Sequence, residues 1–224
     1  MHKHVQGAFS LTGLITPSVY AGLTVAVHVL NPRDGWMEYT LSDLALTRYG
    51  WIETLSMCVL AVCVIAVGVG LYRTALQRRE TRIALGMFVI TSIALFAIAG
   101  FKSSDTAAMT PFVFIHRASV GVLTVCFPVV CLMMVSPLRS DPRWKSLALY
   151  SAIAGAIGLA LDIFGAVLPR DFQHNVAGLW EKLFMADGVI WCQVFAVKLF
   201  IESRRRPQSA PGLPGAVSAA QPTH

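Results

Sequence analysis

Apolar residues fall in six long runs separated by short polar connectors, at about 10–30, 51–72, 83–101, 111–135, 146–168 and 179–201. A helix needs roughly 20 predominantly apolar residues to cross a hydrocarbon core about 30 Å thick, and each run meets that need. Lipid offers no hydrogen bonds to the backbone, so each run is expected to satisfy its own N–H and C=O groups as a helix. The pattern predicts an all-α, polytopic membrane protein. Its parts are a short N-terminus (1–9), a six-transmembrane-helix bundle (10–201) and a disordered, Arg-, Pro- and Ala-rich tail (202–224). At 55% hydrophobic and 13% charged, with a mean hydropathy of +0.63, the chain is too apolar for an ordinary soluble domain.

Charge orients the bundle. If both termini are cytoplasmic, twelve cations lie inside, including Arg73, Arg78, Arg79, Arg82, Arg139, Arg143 and the Arg204–Arg206 run. Six lie outside: Arg33, Arg48, Lys102, Arg117, Arg170 and Lys182. This bias satisfies the positive-inside rule in a multi-pass protein of the cell (cytoplasmic) membrane. Topology therefore accounts for the net charge of +6, and no nucleic-acid partner is implied. Membrane lipids are the expected surroundings; a partner membrane protein or a homo-oligomer is left open.

Nine acids lie in the outer half, and two of them interrupt apolar runs: Asp162 and Asp187. Counted from the outer helix ends, both sit roughly 9–12 Å deep at 1.5 Å per residue. Intramembrane charges normally face the bundle interior with a partner, and Arg117 and Lys182 are the expected counter-ions. Ser151, Gly155, Gly158, Asp162 and Gly165 form one helical stripe of small residues, which lets a neighbouring helix approach closely. His28, His116 and His174 also lie at the acidic end. They could bind zinc, but no two share a metal-binding spacing, so no metal site is assigned and the cofactor is unknown. The segment from Glu38 to Gly50 is partly amphipathic and is expected to lie along the outer surface. Within it Ser42 reads first as a helix cap and second as a nucleophile near Asp43 and a histidine. Trp36, Tyr39, Tyr49, Trp51 and Trp180 flank the outer boundaries as an aromatic belt does. Pro17 and Pro128 are expected to bend their helices. The five cysteines lie inside spans and read as packing residues.

Tyr39-Thr40-Leu41-Ser42-Asp43-Leu44-Ala45-Leu46-Thr47-Arg48-Tyr49-Gly50-Trp51 resembles the stretch that precedes the second helix in DUF998, a family of prokaryotic membrane proteins. Asp105 followed by His116, and Gly178-Leu179-Trp180-Glu181-Lys182-Leu183, are similar to two further family patterns. The chain departs in Lys102-Ser103-Ser104-Asp105, where the family has a Phe-Pro-x-Asp type of loop, and in Lys182, where Arg is usual. The resemblance implies a six-helix membrane fold and a recurring outer set here comprising Ser42, Asp43, Asp105, His116, Glu181 and Lys182. It implies no activity.

These readings place candidate catalytic groups at Asp43, Asp105, His116 and Glu181, and intramembrane polar groups at Asp162, Asp187, Arg117 and Lys182. Three classes stay open. They are a lipid-directed site at the outer mouth, an accessory or structural membrane protein, and a small ion- or proton-coupled transporter. The transporter is disfavoured because the inner half lacks a buried acid.

Overall fold

The structure, a computed structural model, describes residues 2–32, 35–74, 79–104, 107–167 and 170–204. The side chains of 2–14 and 170–175 lie outside that description. Seven helices follow in order: α1 (His2–Leu30), α2 (Leu41–Leu44), α3 (Gly50–Thr74), α4 (Arg79–Gly100), α5 (Pro111–Ser140), α6 (Ser146–Val167) and α7 (Arg170–Arg204). No strand occurs among the described residues. Helices α3 to α7 are each long and apolar enough to cross a membrane, and α1 contributes a shorter apolar stretch, Ile15–Leu30. The 22 residues of α4 extend about 33 Å at 1.5 Å each, the thickness of a hydrocarbon core. This is a multi-pass membrane protein.

The six long helices form a closed ring in which α3, α4, α5, α6 and α7 pack in chain order and α1 closes it against α3 and α7. Short connectors enforce this up-and-down order. Ile93, Phe114, Leu149, Ile163 and Val167 are exposed on the outside of the ring, where lipid is their natural solvent. Small residues set the close approaches. A Cβ on Gly68 would stand 2.7 Å from the Phe88 side chain, and one on Gly155 would meet Leu132 at 2.8 Å. The small stripe of α6 therefore does what its spacing predicts, turning Gly155 and Gly158 toward Pro128 of α5 and Gly165 toward Trp180 of α7. Ser151 completes it by donating to the Cys131 carbonyl at 2.7 Å while accepting from Trp191 Nε1 at 3.1 Å, which ties α5, α6 and α7 together. No disulfide joins any of the five cysteines.

The helix limits differ from the apolar runs. Helix α7 begins at Arg170 rather than near 179, and α1 begins at His2 rather than near 10, so both extend past their apolar runs. Pro17 and Pro128 each lie inside a single helix, α1 and α5. The 38–50 segment has an exposed side, at Glu38, Tyr39, Leu46 and Arg48, and a buried one. Its helix α2 is tucked into one end of the ring, with Leu41 and Leu44 fully buried.

Candidate functional site

The end of the ring that carries α2 holds most of the buried polar groups. A four-residue helix cannot sustain itself, so α2 depends on what surrounds it. Thr40 is its cap, not Ser42: Thr40 Oγ1 accepts from the Asp43 N–H at 3.0 Å, and the Asp43 carboxylate accepts from the Thr40 N–H at 3.2 Å. The two side chains also bond directly, with Thr40 Oγ1 donating at 2.8 Å. This reciprocal box fixes the turn and frees Ser42 for another partner. Ser42 Oγ lies 3.1 Å from His116 Nε2, and both residues are buried. Helix α5 brings the imidazole there from a start set by the Thr110 cap and Pro111 at its first turn.

Helix α7 fastens the other flank. Glu181 Oε2 accepts from the Leu41 N–H at 2.7 Å. Lys182 Nζ donates to the carbonyls of Tyr39 at 2.5 Å, Trp36 at 3.0 Å and Gly178 at 3.2 Å. The Leu179 N–H reaches the Met37 carbonyl at 2.9 Å. Such contact requires bare backbone at Gly178, where a Cβ would run into the Tyr39 carbonyl. Glu181 and Lys182 thus position the 36–44 segment through its backbone.

Glu53, three residues into α3, is the deepest charge at this end, with 1% of its surface exposed. Thr24 Oγ1 donates to its Oε2 at 3.3 Å, while Oε1 is buried with no hydrogen-bond partner. Neither ring nitrogen of His28 has a partner, and the ring stacks on Trp36 with centroids 3.9 Å apart. Lys182 is close enough to His28, Glu53, Glu181 and Asp43 for its charge to act on all four. Ser42, Glu53, His116 and Lys102 line one small cavity, about 260 Å³ including its open side.

The remaining candidates do not join this cluster. Asp105 lies outside the described residues, as does the side chain of His174. Arg117 is exposed on α5 and donates to the Ala107 carbonyl at 3.3 Å. Asp162 and Asp187 are half-buried on α6 and α7. A Cβ on Gly158 would stand 3.6 Å from Asp187 Oδ2, an atom buried without a hydrogen bond. The Lys182 ammonium is held by three carbonyls, with Glu181, Glu53 and Asp43 within reach of its charge. Among the described residues no three His, Cys, Asp or Glu side chains converge as metal ligands would. Glu53 is the group that the sequence pattern failed to single out. The signal was present, since Glu53 interrupts the second apolar run as Asp162 and Asp187 interrupt theirs.

No curated protein and no solved structure matches the chain. A family model described as "Protein of unknown function (DUF998)" matches residues 14–198, and the chain belongs to that family.

Proposed function

We propose that the α2 end faces away from the cytoplasm and binds the polar head of an outer-leaflet lipid. Cations concentrated at the opposite end support that orientation. The Ser42–His116 pair carries the reading: a hydroxyl 3.1 Å from an imidazole nitrogen, beside a buried carboxylate that shares its cavity. A hydroxyl with a base in reach is the minimum for nucleophilic chemistry, and the same groups hydrogen-bond a phosphate or hydroxyl head. Around them, the Thr40–Asp43 box, Glu181 and Lys182 hold the pair in place.

Native mass spectrometry of the detergent-purified protein tests this reading. The wild type should retain a lipid, and Ser42→Ala and His116→Gln should lose it while remaining folded. An unliganded wild type, or variants with unchanged lipid occupancy, overturns it. A second reading, an accessory protein without chemistry, is favoured by one observation: Glu181 and Lys182 spend their hydrogen bonds on backbone. It predicts that Ser42→Ala and His116→Gln lose stability instead of lipid.

A further inference from the structure

The mouth cavity carries opposite charges at its two sides. Ser42, Glu53, Thr54, Lys102 and His116 are part of its lining. Among the described residues that line it, Lys102 alone is exposed, whereas Glu53 is buried. The charge is therefore negative at the closed side and positive at the open one. The closed part has room for about one water-sized group. Glu53 lies three residues past the start of α3 at Gly50, about 5 Å in, a depth that a lipid headgroup reaches.

The Glu53 carboxylate is short of donors. Its Oε2 accepts from Thr24 Oγ1 at 3.3 Å, and its Oε1 has no partner. Ser56 Oγ is near, but donates to the Glu53 backbone carbonyl at 2.8 Å. Lys182 acts on Glu53 with its charge, yet its three N–H groups go to the carbonyls of Tyr39, Trp36 and Gly178. It therefore offers Glu53 no hydrogen bond. The hydroxyls of Tyr20 and Thr81 are also buried without a partner, but neither residue lines this cavity. They are also neutral, and an unsatisfied buried carboxylate costs far more than an unsatisfied hydroxyl. What Glu53 lacks is a compact cationic donor arriving through the cavity.

A primary ammonium is such a donor. It is about the size of a water, carries one positive charge and points three N–H groups outward, so it fits the closed room and donates to Oε1. A trimethylammonium has the same charge, but it is bulkier and has no N–H to donate. A phosphate joined to the ammonium through two carbons lies toward the open side, near Lys102 and the Ser42–His116 pair. Resting on the mouth reading for the lipid itself, we infer that the head bound there is zwitterionic, with a primary ammonium on Glu53 and a phosphate toward Lys102, as in phosphatidylethanolamine.

Native mass spectrometry of the full-length, detergent-purified protein tests this, with dioleoyl phosphatidylethanolamine, its N-monomethyl derivative, phosphatidylcholine and phosphatidylglycerol supplied in equal amounts. The wild type should hold phosphatidylethanolamine at least ten-fold over phosphatidylglycerol, the low end for a hydrogen bond to a charged group. It should show the same margin over phosphatidylcholine, with the monomethyl lipid between. Glu53→Gln keeps the shape and removes the charge, so phosphatidylethanolamine should fall to within about two-fold of phosphatidylglycerol. Equal occupancy by the ethanolamine and choline lipids in the wild type overturns the inference, whatever the variant does. A phosphatidylethanolamine preference that folded Glu53→Gln retains overturns it too. Glycerophosphoethanolamine, the same head without chains, should fail to displace the lipid at equal concentration; displacement would reassign the site to a soluble amine. Lipid that is lost in Ser42→Ala and His116→Gln but shows no head preference sinks this inference alone. A wild type that retains no lipid sinks the mouth reading with it.

Discussion

Removing the Glu181 carboxylate should open the mouth without dismantling the bundle. Its Oε2 accepts from the Leu41 N–H at 2.7 Å, and that N–H belongs to the first turn of α2, where no intrahelical partner exists. A hydrogen bond to a charged group contributes about 1.5–3 kcal/mol, roughly twice a neutral one. Glu181→Ala should therefore cost the 36–44 segment about 2 kcal/mol, and Glu181→Gln, which keeps a neutral acceptor, about 1 kcal/mol. What remains is the Thr40 box, worth about 1 kcal/mol, and the burial of Leu41 and Leu44. Hydrogen exchange of the peptide spanning 36–44 reads the opening directly, since local stability sets exchange protection. At 1.4 kcal/mol per ten-fold, about 2 kcal/mol predicts exchange about 30-fold faster in the alanine variant and about five-fold faster in the glutamine variant. Unchanged exchange in Glu181→Ala refutes the argument. Equal acceleration in both variants refutes the assignment of half the energy to charge.

The Gly178→Ala methyl would collide with the Tyr39 carbonyl and press on Lys182 Nζ at 2.9 Å; it should cost about 1–3 kcal/mol and speed exchange of the same peptide. Arg143 donates to Asp141 through three N–H groups at 2.6–3.1 Å, and this hydrogen bonding holds the Asp141 carboxyl below its ordinary pKa. That contribution is complete above the unfolded-state pKa and is lost as pH falls through the folded one. With the Arg143 side chain 53% exposed, it should stay under about 1 kcal/mol. Acid-range melts of Asp141→Asn should lose this part of the pH slope. An impermeant maleimide should label Lys102→Cys in intact cells and Arg79→Cys only after permeabilisation; labelling from one side would sink the orientation.

The spans were legible because a bilayer imposes one simple demand on them: enough consecutive apolar side chains. The same demand hides helix that leaves the membrane. Asp171, Gln173, His174 and Asn175 break the apolar run, yet α7 passes through them to Arg170. Helix α2 was blurred for another reason. Thr40 and Ser42 are both good caps, and only the Asp43 side chain reaching back to Thr40 decides between them. Ser42 and His116 could be flagged through the family pattern, but their 74-residue separation left the pairing to tertiary structure. The three backbone carbonyls that take the Lys182 donors could not be read from charge patterning, which looks only for carboxylates.

The two ends of the bundle are built on different terms. Toward the end opposite α2, Trp191 stacks near Phe195 at 4.1 Å, and Trp144 lies parallel to Phe195 at 6.3 Å. There apolar rings fill most of the space, and the Trp191–Ser151–Cys131 hydrogen bonds are added to their dispersion. At the α2 end the helices surround Glu53, His28, Ser42, His116 and Lys182, groups that lipid penalises and that packing could replace. If they served only cohesion, their hydrogen bonds would be expected to close. They do not: Glu53 Oε1 and both nitrogens of His28 are buried without a partner. Under the reading proposed above, a ligand at this end would satisfy Glu53 and His28, whereas Thr81 Oγ1 and Trp144 Nε1, buried without a partner toward the other end, would be left as they are.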